Sequence, residues 1–460
     1  MSNHITFDKA LIQKYNLTGP RYTSYPTAVV FDDSHTPATH VANLQSQANN
    51  TEPLSLYFHI PFCDTLCFFC ACNKIATKRR EKADLYLDYL EKEMQMQSQW
   101  LHPDRLVEQL HLGGGTPTFL TEKQMRRMMA MIGIYFTLID TDERDYSIEI
   151  DPREAPPETI KLLAELGFNR FSMGVQDVQE KVQKAVNRIQ PIGMTLAAIE
   201  ACRVAGAKSI NVDLIYGLPF QTLDSFKDTL KQVIALSPDR LSVFNYAHLP
   251  HLFKPQKRIL FEDLPSADEK LAILDMTIKT LNDAGYVYIG MDHFAKPDDE
   301  LALAQESKQL HRNFQGYTTH ADCDMLALGV SAISYYNNTF SQNNKSLEAY
   351  YHQIDQGHIP IIKGYALSED DLVRRQVIQD LSCHFELNTN DLAQQFDLDF
   401  DSYFAYEIPA LKQLAADDLI TWSDDLIKVT SKGRLLIRNI CMVFDIYLRK
   451  QTEQQFSKVI

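Results

Sequence analysis

Residues 54–72 read LSLYFHIPFCDTLCFFCAC. Leu54 to Ile60 is a short apolar, β-rich run, and Pro61 stops it. Directly after it come Cys63, Cys67, Cys70 and Cys72, four of the eight cysteines in the chain. Five further runs of the same kind follow: Val107 to Leu112, Tyr146 to Asp151, Arg170 to Val175, Ser209 to Ile215 and Leu241 to Tyr246. Between them, apolar residues return at helical spacing, as at Ala83, Leu87, Leu90 and Met94 or Phe226, Leu230 and Val233. Strand and helix thus alternate through six βα units. That alternation predicts a parallel sheet with crossover helices, best accommodated by an open or partial (βα) barrel. On such a barrel the carboxyl ends of the strands share one face, and the cysteine loop lies there.

The flanks differ. Residues 1–53 read as an arm and linker over the active site: Leu11 to Tyr15 is helical, Gly19 to Thr27 is a turn-rich aromatic stretch, and Phe31 to Pro53 is a polar surface segment. The barrel with its extension is expected over 54–335, a linker over 336–364, and a mainly helical, winged-helix-like domain over 365–460. Ser266 and Glu269 form a capping-box pattern ahead of Leu271, Leu274, Ile278 and Leu281, and a strand is expected at Tyr286 to Gly290. In the last domain a strand pair, Leu419 to Trp422 and Ile427 to Thr430, precedes a basic helix, Lys432 to Arg449.

The chain has 460 residues, 45% hydrophobic, with scattered Gly and Pro, so it can bury a large core and is not disordered. Sixty acidic against 45 basic residues leave a net charge of -15, which opposes binding to nucleic acid or an anionic membrane. No apolar run approaches the roughly 18 residues that span a bilayer, and the first ten residues lack a signal-peptide pattern. The expected location is the cytoplasm. No heptad demands association, so a monomer is expected.

Cys63, Cys67 and Cys70 form a C-x3-C-x2-C loop whose thiolates can converge on one soft-metal centre. A structural zinc site wants four ligands, normally in two separated pairs, and a dithiol redox site needs only two thiols. Three thiolates on a four-iron cluster leave one iron open for a chelating ligand, which is the leading reading. The remaining cysteines, Cys202, Cys323, Cys383 and Cys441, are expected to be small buried hydrophobes. Gly113 to Gly115 end the second strand, either as a tight turn or where a ligand approaches the backbone. Alternation puts Ser147, Glu149 and Asp151 on one strand face, where Glu149 could accept hydrogen bonds from a ribose or an amine.

The cysteine triad resembles the signature of the radical S-adenosylmethionine (SAM) superfamily. Residues 56–63 (LYFHIPFC), Cys72, 113–118 (GGGTPT), 151–154 (DPRE), 172–177 (SMGVQD), 213–219 (DLIYGLP) and the amino-terminal 20–27 (PRYTSYPT) occur in one order. Together they resemble the oxygen-independent coproporphyrinogen III oxidase (dehydrogenase) family from about residue 8 onward. Ala71 stands where that family commonly carries glycine.

The resemblance implies a [4Fe-4S] cluster on Cys63, Cys67 and Cys70, and two SAM molecules. Tyr57 and Gly114 would contact the first SAM; Phe69, Gly115, Thr116, Gln176, Arg188 and Asp213 the second. Ala247 and Ile333, which composition alone would put in the core, enter only by resemblance. Tyr57 and Phe69 read from the sequence equally as adenine contacts or as shields of the cluster, and Cys72 as either a residue near the substrate or a bystander. The implied reaction is oxidative decarboxylation of two propionates of coproporphyrinogen III to vinyls, giving protoporphyrinogen IX, with an electron donor such as flavodoxin or ferredoxin. Arg21, Arg153, Arg170 and Arg312 are candidates to hold the substrate's carboxylates. The competing readings are a haem-binding chaperone of the related family and a radical SAM enzyme that opens the haem ring; Cys72 and the arm favour the oxidase.

Overall fold

A computed structural model describes residues 5–321 and 323–450. Its framework is one long sheet. The six expected strands form as β1 (Leu54–Ile60), β2 (Leu106–Gly114), β3 (Asp145–Ile150), β4 (Arg170–Gln176), β5 (Ser209–Tyr216) and β6 (Arg240–Asn245). They pair in chain order and all run parallel. The crossovers are α1 (Glu81–Ser98), α2 (Glu122–Tyr135), α3 (Pro157–Glu165), α4 (Ile192–Val204) and α5 (Leu223–Ala235), with α6 (Ala267–Asp283) after β6. The helices bury one stripe: Ala83, Leu87, Leu90 and Met94 of α1 are all inaccessible, as are Phe226, Leu230 and Val233 of α5. Thr121 and Thr222 open α2 and α5 with reciprocal capping boxes. At α6 only one half of the expected box forms, the Glu269 N–H donating to Ser266.

Past β6 the sheet extends in both directions. The hairpin β7 (Val287–Gly290) and β8 (His293–Ala295) adds an antiparallel edge beside β6. On the far side β9 (Asp324–Leu328) lies parallel to β1, followed by antiparallel β10 (Ile333–Tyr336), β11 (Thr339–Asn343) and β12 (Ile361–Ala366). Residues 336–364, expected as a linker, therefore carry most of two strands and a helix, Leu347–Asp355. The six expected strands are a partial barrel; of the strands that extend it only β7 was expected, as Tyr286 to Gly290.

The arm is more ordered than its polarity suggested. Residues 37–46, inside the segment read as a surface linker, form a helix with a Thr36 capping box. The arm is stitched at both ends: Asp32 and Gly364 exchange backbone hydrogen bonds at the β12 edge, and Arg438 donates to the Pro20 carbonyl at 2.8 Å. Tyr22 reaches the buried Asp445 at 3.0 Å.

The carboxyl-terminal region combines the helix Glu369–His384 with a small antiparallel sheet of Glu386–Asn388, Leu426–Val429 and Ile420–Ser423 and further short helices. The single basic helix expected over Lys432 to Arg449 is instead three pieces, Gly433–Leu436, Ile437–Met442 and Ile446–Lys450. Asp445 causes the last break, because its carboxylate accepts from the backbone N–H of Tyr447 and Leu448 and so caps a new helix. Among the described residues no helix is long and apolar enough to cross a membrane.

One buried carboxylate ties α1 to the β9 end of the sheet. Glu93 is inaccessible and accepts hydrogen bonds from Gln97, Asn343, Tyr350 and the Gly329 N–H. Burial outweighs those donors and pushes its carboxyl up to about 7 from an ordinary 4.5. A raised carboxyl binds its proton more tightly in the folded chain, so its contribution to stability is complete below the ordinary value and lost as pH rises through about 7. Relative to Glu93→Gln, the wild type should lose about 3 kcal/mol of stability between pH 4.5 and 7.5 in denaturant titrations. Parallel pH profiles for the two proteins would contradict this.

Candidate active site

Register decides where the cysteine loop sits. Ile60, the last residue of β1, pairs with Gly114, the last of β2, so both strands stop at one level. The loop is then clasped to β2 by two backbone bonds, Gly115 N–H to Ile60 O and Thr116 N–H to Phe62 O, each 2.8 Å. Gly115 must be glycine for this: a Cβ there would lie 2.7 Å from the Phe62 carbonyl oxygen and 2.8 Å from the Pro61 carbonyl carbon. Gly114 has φ of +113° and a Cβ would meet the His59 ring at 2.8 Å. The glycines therefore make room for the chain's own loop and ring, a reason beyond the turn or ligand approach expected from sequence.

Cys63, Cys67, Cys70 and Cys72 line one cavity of 240 Å³ with Phe69, Gly114, Gly115, Thr116, Glu149, Gln176, Arg188 and Asp213. Cys63 and Cys67 are buried, Cys70 is half-buried and Cys72 is exposed. Donors converge on the sulfurs. Thr116 Oγ1 approaches Cys63 Sγ at 3.5 Å, while Arg153 Nη2 and Arg188 Nη1 approach Cys67 Sγ at 3.5 and 3.6 Å. Burial pushes the Cys63 thiol up to about 11, whereas a hydrogen bond from Cys72, with Lys74 nearby, pulls Cys70 down.

Asp151, at the end of β3, organises the cations. It pairs with Arg153 at 2.7 Å and Arg188 at 2.9 Å, all three side chains at most 14% exposed. Burial alone would raise Asp151, but the two guanidiniums outweigh it and hold the carboxyl below its ordinary value. Arg188 also donates to the Gly174 carbonyl, and its buried Nε has no partner among the described residues. Glu149 accepts from the Gly114 N–H at 3.2 Å and lies 3.6 Å from His111. Asp213 accepts from Asn211 at 2.8 Å, and burial pushes it up to about 6.

Three expected site residues stand outside that cavity wall. Tyr57 stacks on His111, ring centroids 5.7 Å apart, and its hydroxyl meets His59 at 3.1 Å, beside Glu149 rather than on the cavity. Ala247 lines a neighbouring cavity; Gln256 bridges the two by donating to both the Ala247 and Phe69 carbonyls. Ile333 begins β10, two strands from β1. Sequence reasoning missed the role of Asp151 and offered Arg153 as a substrate contact. The signal was present in Asp151-Pro152-Arg153, a carboxylate and a guanidinium two residues apart immediately past a strand. Arg170 is likewise committed elsewhere, to Glu300 at 2.6 Å and Asp145 at 3.3 Å.

Comparison with known proteins gives this geometry its context. Residues 57–233 match the radical SAM superfamily model, and residues 367–436 match the HemN C-terminal domain model. The chain is 53% identical over 460 residues to an oxygen-independent coproporphyrinogen III oxidase of Pseudomonas aeruginosa, covering 100% of both. It is 52% identical to the Escherichia coli oxidase of the same name, covering 99% of both. The chain belongs to the oxygen-independent coproporphyrinogen III oxidase family. The solved E. coli coproporphyrinogen III oxidase, described as a radical SAM enzyme, superposes with a TM-score of 0.91 at 48% identity, covering 96% of this chain and 100% of that one.

A coproporphyrinogen oxidase of this superfamily carries a [4Fe-4S] cluster and binds SAM, and the residues present fit both groups. The thiols are not gathered as a single ion would require: zinc ligand sulfurs sit about 3.8 Å apart for Zn–S bonds of about 2.3 Å. Among the described residues the one set of three ligand atoms within 4.8 Å of each other is Glu108, His320 and Cys323, away from this loop. The unpartnered Arg188 Nε and the Glu149 carboxylate are complementary to a zwitterion bearing carboxylate and amine.

Because Asp151 is the shared counter-charge of two buried guanidiniums, Asp151→Asn should cost about 3–5 kcal/mol in denaturant titrations. Arg126→Ala, which removes an exposed pair with Glu122, should cost less than about 1 kcal/mol. Equal effects from the two would contradict the assignment.

Proposed function

We propose that this protein catalyses the oxygen-independent oxidative decarboxylation of two propionates of coproporphyrinogen III to vinyls, giving protoporphyrinogen IX. Two SAM would be consumed and two CO2 released per product. The observation that carries this reading is the match to named oxidases along the whole chain, barrel and carboxyl-terminal domain together. When bound and reduced, the cluster and SAM would supply hydrogen-atom abstraction from a propionate β-carbon, and the vinyl would form with release of CO2 and transfer of one electron to an external one-electron acceptor.

The chain's own residues would act as follows. Cys63, Cys67 and Cys70 hold the cluster, with Arg153, Arg188 and the Thr116 hydroxyl stabilising negative charge on the sulfurs. Gly114 and Tyr57 serve the first SAM, and Glu149 accepts from a ribose or an amine. Phe69, Gly115, Thr116, Gln176, Arg188 and Asp213 serve the second, Arg188 through its remaining Nε donor. Ala247 and Ile333 are assigned to SAM by the family resemblance alone. Cys72, exposed and beside Cys70, would lie near the substrate. The arm, fixed at Gly364, Arg438 and Asp445, keeps water from the strand ends. The electron donor would be a flavodoxin or ferredoxin, and the enzyme a cytoplasmic monomer that binds neither nucleic acid nor membrane.

Anaerobic incubation of reconstituted protein with coproporphyrinogen III, SAM and a reductant tests this. The expected result is protoporphyrinogen IX with two CO2 and two 5'-deoxyadenosine per product. Tight haem binding with neither CO2 nor vinyl product would replace the oxidase by the chaperone.

A further inference from the structure

A cavity larger than the one holding the cysteines also lies around the strand ends. This second cavity, of 720 Å³, lies at the carboxyl ends of β5 and β6, where Tyr216, Asn245 and Tyr246 form part of its wall and arm residues Asn16, Thr18 and Arg21 contribute another. It falls within the roughly 300–1,000 Å³ of small-molecule sites. The two cavities are neighbours, since Gln256 links the Phe69 and Ala247 carbonyls.

Its lining pairs apolar surface with cations. Tyr216, Tyr246, Leu264 and Leu271 line it, and at its rim Phe261 is 79% exposed. Lys270 extends over Gly217, where a Cβ would sit 2.7 Å from the Lys270 Cε, and its amine donates to the Tyr246 carbonyl at 3.3 Å. Arg21 makes one long contact, 3.5 Å to the Asn245 carbonyl, and among the described residues has no carboxylate within ion-pair distance. The wall carries three cations, Arg21, Lys270 and Arg438, against two carboxylates, Glu262 and Asp292. In a chain of net charge -15, this wall has a surplus of one positive charge beside its apolar side chains.

We propose that this cavity receives the porphyrinogen, its apolar walls against the macrocycle and Arg21 and Lys270 pairing with propionates that are not reacting. The inference rests on the reading of a tetracarboxylate tetrapyrrole as the substrate. It assigns the non-reacting end of that molecule to the arm side of the barrel and points the reacting propionate past Gln256 toward the cysteine cavity. Of the four arginines considered for this role, Arg153 and Arg170 are excluded by their buried ion pairs.

The test is equilibrium binding of coproporphyrin III, the fluorescent oxidised ring, and of its tetramethyl ester to reconstituted holoenzyme. Wild type should prefer the free acid. Arg21→Gln and Lys270→Gln should each weaken the acid by about 10- to 100-fold while leaving the ester unchanged. Ala267→Trp, which fills the rim from the first turn of α6, should weaken both ligands. Iron content and the cluster absorption should be retained in all three variants. Unaltered acid affinity in both charge variants, or equal loss of acid and ester, would overturn the assignment. Turnover of coproporphyrinogen by the wild type is measured separately, so failure of this cavity is distinguishable from failure of the oxidase reading.

Discussion

The structure depends on two backbone hydrogen bonds, from Gly115 to Ile60 and from Thr116 to Phe62, that fasten the cysteine loop to the end of the neighbouring strand. They form because parallel register brings β1 and β2 to a common end, and because Gly115 has no side chain to hold the loop away. With the loop fixed, the three thiols share one cavity with residues from the ends of β3, β4 and β5. A loop free of that clasp would bear the same cysteines with no defined cavity beside them.

The second constraint is electrostatic. Thiolates beside a low-dielectric barrel interior need compensation, and Arg153 and Arg188 supply it while Asp151 keeps the two guanidiniums from repelling each other. Three side chains from segments 151–153 and 188 thereby become one unit. Glu149 and Asp213 add carboxylates at the same face, which suits a site for zwitterionic and hydroxyl-rich groups.

Much of this was legible in the sequence because each parallel strand keeps a regular set of apolar residues on its helix-covered side, and all six fell within two residues of their expected bounds. The triad spacing and the strand-end positions brought twelve of the fifteen expected site residues to one cavity wall. The outer strands β10 to β12 were hidden by short, polar-containing runs such as Thr339–Asn343, whose burial comes from the arm and helices packed on them. The role of Asp151 was hidden because a charge pair across 37 residues depends on tertiary contact. Asp445 likewise read as one more polar residue in a helix until its carboxylate was seen to cap the next one.

The central claim is that three protein sulfurs leave one iron of the cluster to SAM. Electron–nuclear double resonance on reduced holoenzyme with SAM labelled at its amino nitrogen tests it most directly. The account predicts nitrogen hyperfine coupling that shows the amine on the cluster. Bound SAM with no such coupling, or protein that holds zinc in place of iron at this loop, would contradict it.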